Sequence, residues 1–278
     1  MTTISARRQT TPGTGRQSHV VADSITMLHR NLLHMVRYPG LSVFTIVGPV
    51  VLLLFFVFVF GGTLGAGLPG ADPAGGREAY VAYVMPGILL LTIAGSAGGT
   101  ATTVSMDMAE GITARFRTMA ISRAAVLAGH VLGNTIQAII AVVLVLGVGL
   151  LIGFRPTAGP GEWIAAAGLL VFIAFAISWL GVAMGMQAKS VETASNLPLL
   201  LTFLPFLSSG FVPTESMPEW MQWFAQYQPF TPFIEAIRGL LLGTPLGWSP
   251  VLATGWCVVI AVAGHAWSMA LYERKSVR

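Results

Sequence analysis

The sequence predicts an all-α polytopic membrane protein with six transmembrane helices, and three observations predict it. Of 278 residues 54% are hydrophobic and only 9% are charged, with a mean hydropathy of +0.75. That is more apolar surface than one water-soluble core of this length can hide. Second, the apolar residues fall in long runs almost free of charge, each holding the roughly 20 residues that a helix needs to cross about 30 Å of hydrocarbon. A transmembrane barrel would instead need many strands of about ten residues with alternating polarity. Third, Lys and Arg are distributed unevenly among the connections.

The elements follow in order. Residues 1–19 are polar, rich in Thr, Ser, Gly, Gln and Arg, and lack an apolar period, which predicts a disordered cytoplasmic tail. Over 23–38, Ile25, Leu28, Leu32 and Met35 recur at helical spacing while Arg30, Asn31, His34 and Arg37 occupy other faces. This is an amphipathic helix for the membrane interface, opened by Asp23 or Ser24 and closed by Pro39-Gly40. Spans are expected at about 41–60, 81–104, 126–152, 163–186, 195–212 and 250–271. The first connection, "GGTLGAGLPGADPAGGREAY", is too rich in Gly and Pro for regular structure to be expected. The third, "RPTAGPGEW", and the fourth, "AKSVET", are short.

The fifth connection, 212–249, is the longest. It carries Pro213, Pro218 and three further prolines, and its Trp220, Trp223, Phe224 and Tyr227 suit the headgroup layer. Phe233 to Leu242 reads as a helix with Glu235 and Arg238 three residues apart. Short half-helices that dip into the outer leaflet without crossing are expected here.

Lys and Arg set the orientation. With the N-terminus inside, the inner segments hold Arg7, Arg8, Arg16, Arg30, Arg37, Arg115, Arg117, Arg123, Lys189, Arg274, Lys275 and Arg278, and the outer ones only Arg77, Arg155 and Arg238. Six spans return the C-terminus to the same side. The basic pI near 9.6 therefore reflects membrane orientation, with no continuous basic face for nucleic acid. No secretory signal is expected, because the first apolar run is as long as a true span.

Several chemistries lack their residues. A phosphate-binding loop requires Gly-Lys-Ser/Thr, yet the two lysines, Lys189 and Lys275, follow Ala188 and Arg274. The single Cys257 excludes an internal disulfide, and the histidines at 19, 29, 34, 130 and 265 show no metal-binding spacing, so no metal is expected. His265 stands alone within the sixth run, where an imidazole bonded to a neighbouring helix is the simpler account than a proton relay. Gly129-x-x-x-Gly133 and Gly181-x-x-x-Gly185 allow close helix packing.

One stretch departs from the apolar background. "AEGITARFRTMAISR", residues 109–123, gathers Glu110, Arg115, Arg117 and Arg123 between two apolar runs. Each arginine at mid-bilayer would cost on the order of 2.5–3.5 kcal/mol, so the stretch is expected outside the hydrocarbon on the cytoplasmic side, either resting on the membrane or docked in a groove of a partner protein. Ile112, Phe116 and Met119 share a helical face there, an apolar knob among positive charges.

"MAEGITARFRTMAISR" resembles the cytoplasmic segment after the second span of ABC type-2 exporter permeases. "SSGFVPTESMPEWMQWFAQYQPFTPFIEAIRGLL" resembles the signature of that family before its last span. The daunorubicin-resistance permeases of actinobacteria are similar over nearly the whole chain, although Ile112 and Ala120-Ile121 depart from the family pattern of Thr and Pro-Leu.

The resemblance implies a permease subunit of an ATP-driven exporter, not itself an enzyme, in the plasma membrane. It implies a second permease subunit, identical or homologous, and two copies of a separate ATPase subunit that holds ATP and Mg. Residues 107–123 would be the coupling helix, with Asp107, Glu110, Gly111, Ile112, Arg115, Phe116, Met119 and Arg123 at the contact. The cargo route would lie between the subunits, with Phe55, Phe58, Phe203 and Phe206 as wall residues, and amphipathic drugs or lipids as cargo. A permease for polysaccharide or another lipid-linked cargo is the alternative, and a membrane transferase, with Glu215, Glu219 and Glu235 as its acids, a more distant one.

Overall fold

The computed structural model describes residues 39–67, 76–109 and 123–276, and among them there are helices and turns but no strands. The expected tail 1–19 and interfacial helix 23–38 lie outside the described residues. Helix α1 (Pro39–Phe55) passes through a π-helical turn, Phe56–Phe60, into α2 (Gly61–Ala66). There follow α3 (Gly76–Ala109), α4 (Arg123–Leu151), α5 (Pro160–Gln187), α6 (Val191–Asn196), α7 (Leu199–Phe203), α8 (Glu219–Tyr227), α9 (Phe230–Leu242) and α10 (Ser249–Ser276).

Five helical stretches are long and apolar enough to cross a membrane: Ile46–Ala66, Gly76–Ala109, Leu127–Leu151, Pro160–Gln187 and Ser249–Tyr272. The expected span at 195–212 differs. It is a shorter apolar stretch, Val191–Leu207, broken into α6, α7 and a 3-10 turn, Leu204–Leu207. Pro198 and Pro205, which lack the N–H that a helix interior uses, stand at the breaks, Pro198 just before α7 and Pro205 within the 3-10 turn. The chain nevertheless travels the length of the bundle here, since Ser190 follows the end of α5 while Gly210 lies against Gly87 near the start of α3.

Two connections hold more structure than their composition predicts. Gly61–Ala66 is helical despite its glycines, and the reason is contact: a Cβ on Gly65 would sit 1.6 Å from the carbonyl oxygen of Gly76. In "AKSVET", Ser190 accepts a hydrogen bond from the Thr193 amide at 3.1 Å, so the helix restarts at Val191. Similarly, Pro160 opens α5, and Glu162 Oε2 accepts the Gly159 amide at 2.6 Å.

Helix α3 is the axis of the fold. Its apolar stretch is mostly buried, whereas Ile46–Ala66 and the stretch in α10 are mostly exposed. Gly181 and Gly185 of α5 press on the backbone of Ala97 and Ala101, where added Cβ atoms would lie 3.0 and 2.5 Å from the two carbonyl oxygens. The equal step of four residues on both helices means that α3 and α5 run in the same direction. The Gly181-x-x-x-Gly185 pattern thus serves packing inside the subunit. Helix α10 lies along α5, with Gly264 against Trp179 and the exposed His265 edge-on to the Trp179 indole at 4.6 Å.

Candidate functional site

Of the four phenylalanines expected to line a cargo route, contacts between rings connect two, Phe55 and Phe206. Phe55, Phe58 and Phe203 are 48%, 56% and 58% exposed, and of the three Phe55 has close aromatic neighbours, Phe56 and Phe60. Phe206 stacks on Phe211 at 4.6 Å, Phe211 meets Phe56 at 5.1 Å, and Phe56 touches Phe55 and Phe60 at 6.0 and 5.9 Å. Offset and edge-on rings at these separations attract one another, so the chain of contacts ties α1 to the broken stretch. Phe58 departs from the group: the guanidinium of Arg77 lies 5.2 Å from its ring centroid, which places Phe58 beside a charge at the start of α3. The wall sits where α1 loosens into its π turn, a helix irregularity that frequently accompanies function.

At the same end of the bundle, the turn after the broken stretch is clamped by side chains from two helices and by Gln228. Tyr83 of α3 donates its hydroxyl to the Ser209 carbonyl at 2.9 Å. Arg238 of α9 donates from Nη2 to the same carbonyl at 2.7 Å and to that of Tyr83 at 3.2 Å. Gln228, which follows α8, donates to the Leu207 carbonyl at 2.5 Å. Burial lowers the pKa of the Arg238 guanidinium, and Tyr83 and Glu235 act in the opposite direction. The spacing of Glu235 and Arg238 predicts a pair on one helix face, but they form no ion pair. Glu235 instead accepts the Ser249 hydroxyl at 3.0 Å and joins α9 to the start of α10.

Pro213 and Pro218 stand immediately before the 3-10 turn Thr214–Ser216 and α8. The fifth connection thus contains two short helices, α8 and α9, with Trp220, Trp223 and Tyr227 strongly exposed along α8. Gly243, at φ +68°, ends α9, and the Thr157 amide donates to Leu241 there at 3.0 Å. The third and fifth connections therefore share one end of the molecule with Tyr83 and Arg238.

Of the expected ATPase-contact residues, Glu110, Gly111, Ile112, Arg115, Phe116 and Met119 lie outside the described residues, and Arg123 is the first residue of α4. Asp107 is described. It stands near the end of α3 with its Oδ2 atom 3.3 Å from His130 Nε2 of α4. Because α3 and α5 run in parallel, this end of the bundle also holds the end of α5 and the turn at Lys189.

Sequence reasoning did not find a polar knot between the two ends. Asn134 of α4 donates to Ser178 of α5 at 2.8 Å and to Ser96 of α3 at 3.3 Å, and Thr135 lies 3.4 Å from the same Ser178 hydroxyl. All four residues are buried. The hydroxyls are also satisfied along their own helices, by Ile93 for Ser96, Val131 for Thr135 and Ala174 for Ser178. A lone Asn in an apolar run was the available signal.

This arrangement has relatives. The model of a family described as ABC-2 type transporter matches residues 23–242. The chain is similar to the daunorubicin resistance ABC transporter permease protein DrrB1 of Streptomyces coeruleorubidus, with 28% identity covering 99% of this chain and 95% of that protein. It is also similar to the probable doxorubicin resistance ABC transporter permease protein DrrC of Mycobacterium tuberculosis, with 28% identity over 87% of this chain and 86% of that one. A third relative is the inner membrane transport permease YadH of Escherichia coli, with 24% identity over 86% and 91% of the two chains. With a match that spans most of its length and a bundle of membrane-length helices, the chain belongs to the ABC-2 type transporter family.

Proposed function

We propose that the chain is the permease subunit of an ATP-driven exporter that moves amphipathic drugs or lipids out of the cytoplasm or the inner leaflet of the plasma membrane. The observation that carries the cargo class is the pair of exposed rings Phe55 and Phe203, with Phe55 linked through Phe56 and Phe211 to the half-buried Phe206. An apolar wall with little charge suits an amphipathic molecule better than a sugar or an ion. The names of two relatives, which speak of daunorubicin and doxorubicin resistance, support the same reading.

In this reading two permease subunits face each other across that wall, and two copies of an ATPase subunit hold ATP and Mg. The broken stretch is the fifth of six crossings, the Tyr83 end faces outward, and both termini are cytoplasmic. Residues 107–123 meet the ATPase, with Phe116 and Met119 as the apolar anchor and Glu110 and Arg115 as polar contacts. Closure of the ATPases pushes this segment and tilts the helices behind it. The re-entrant pair α8 and α9 covers the outer exit.

The test is affinity purification of the tagged chain from its native membrane, followed by ATP hydrolysis and daunorubicin efflux from reconstituted vesicles. A copurifying ATPase whose hydrolysis daunorubicin or a fluorescent phospholipid stimulates supports the reading. Phe116→Asp is expected to abolish both stimulation and efflux while the permease stays in the membrane. Efflux by that variant at the unaltered rate would remove the coupling role.

A further inference from the structure

The inner end of the bundle carries a contact between a partly buried carboxylate and a buried imidazole, and its position in the chain is informative. After Glu78, Asp107 is the first charged residue on α3, and His130 is the sole titratable residue between Arg123 and Arg155. They come from opposite sides of the connection 110–122, Asp107 just before it and His130 about two turns into α4. They meet at 3.3 Å with side chains only 15% and 8% exposed. A carboxylate and an imidazole so withdrawn from water are costly to separate, because each would give up this contact without regaining full hydration.

One turn further along the same face of α4 comes Asn134, bonded to Ser96 of α3 and Ser178 of α5. The contact and the knot form one polar seam between α3 and α4, flanked by apolar side chains such as Val104, Leu127 and Val131. Helix ends ordinarily fray, and a frayed end absorbs a push instead of passing it on. Pinned on both sides of the 110–122 connection, α3 and α4 must take up any displacement of that connection together.

We propose that Asp107 and His130 are a positioning pair for ATPase coupling, which fixes the roots of the 110–122 connection so that its movement reaches the knot on α4, α3 and α5. The proposal rests on the exporter reading above. It makes neither residue a contact for cargo or for ATP.

The experiment measures daunorubicin moved per ATP hydrolysed in vesicles that hold the complete permease and ATPase complex. His130→Ala is expected to lower that ratio at least about five-fold, the lower range of ordinary coupling between sites, while the complex still copurifies and hydrolyses ATP. His130→Gln, which retains a donor, and the exchange Asp107→His/His130→Asp are each expected to restore most of it. If His130→Ala prevents assembly, Asp107→Asn carries the measurement, with the exchange as its rescue.

A ratio unchanged in His130→Ala or Asp107→Asn overturns the proposal. So does a lowered ratio that neither rescue variant improves, which would mark the contact as packing alone. The unaltered complex reports separately on the exporter reading: no stimulated hydrolysis and no daunorubicin movement there overturns both, whereas normal export beside a coupled His130→Ala variant overturns the positioning pair only.

Discussion

Arg238 lies over the ring of Tyr83 with its guanidinium carbon 4.2 Å from the ring centroid, and both side chains donate to the carbonyl of Ser209. The Tyr83 ring is thus held by a cation on one face and by its own hydroxyl at the rim. Removing Arg238 loses charge-assisted hydrogen bonds worth roughly 2 kcal/mol together with the ring contact. Arg238→Ala is expected to lower the unfolding temperature in detergent and to weaken export, with ATPase association unchanged. Arg238→Lys, which cannot fork between two carbonyls, is expected to fall between the two. Loss of ATPase association in Arg238→Ala would place this corner on the other side of the membrane.

Packing of α5 on α3 leaves no room at Gly185. Gly185→Ala forces a methyl group toward the Ala101 backbone and is expected to destabilise by about 1–3 kcal/mol, as overpacked cores do. Gly95→Ala, at a position with open space around it, is the control and is expected to be neutral or slightly stabilising. Thermal unfolding of the two variants in one detergent compares them directly.

The polar knot should be worth less than its burial suggests. Ser96, Thr135 and Ser178 keep their bonds to backbone carbonyls when Asn134 is removed. Asn134→Leu is therefore expected to cost only about 1 kcal/mol, in the ordinary range for hydrogen bonds between membrane helices. A double-mutant cycle with Ser178→Ala measures the coupling between the two residues.

Sidedness can be read with single cysteines in a Cys257→Ser background, since the native thiol is buried. Thr157→Cys and Trp248→Cys, both exposed at the Tyr83 end, are expected to react in intact cells with a membrane-impermeant maleimide. Lys189→Cys, exposed at the other end, is expected to react only after permeabilisation. The reverse pattern would turn the whole arrangement over.

The long helices were legible because charge-free length is a one-dimensional property: α3, α4, α5 and α10 begin and end within a few residues of the predicted limits. Pro198 and Pro205 are the visible signal of the break within 195–212, although the hydropathy of that run is that of a span. The helix at Gly61–Ala66 was illegible because its stability comes from Gly76 and Arg77, which approach only in three dimensions. For the same reason Asp107 could be singled out but His130 could not, as their 23-residue separation gives no pattern. Glu235 and Arg238 show the opposite error. Their spacing implies a pair, but the carbonyls of Tyr83 and Ser209 offer the guanidinium buried acceptors within its reach.

The contrast between a submerged α3 and a bare α1 bears on where the bundle can yield. A central rod wedged backbone to backbone against its neighbour cannot slide without tearing that seam open. Compliance must reside at the rim, where a proline at 49 and a widened turn at 56–60 already loosen the first helix beside the phenylalanine wall.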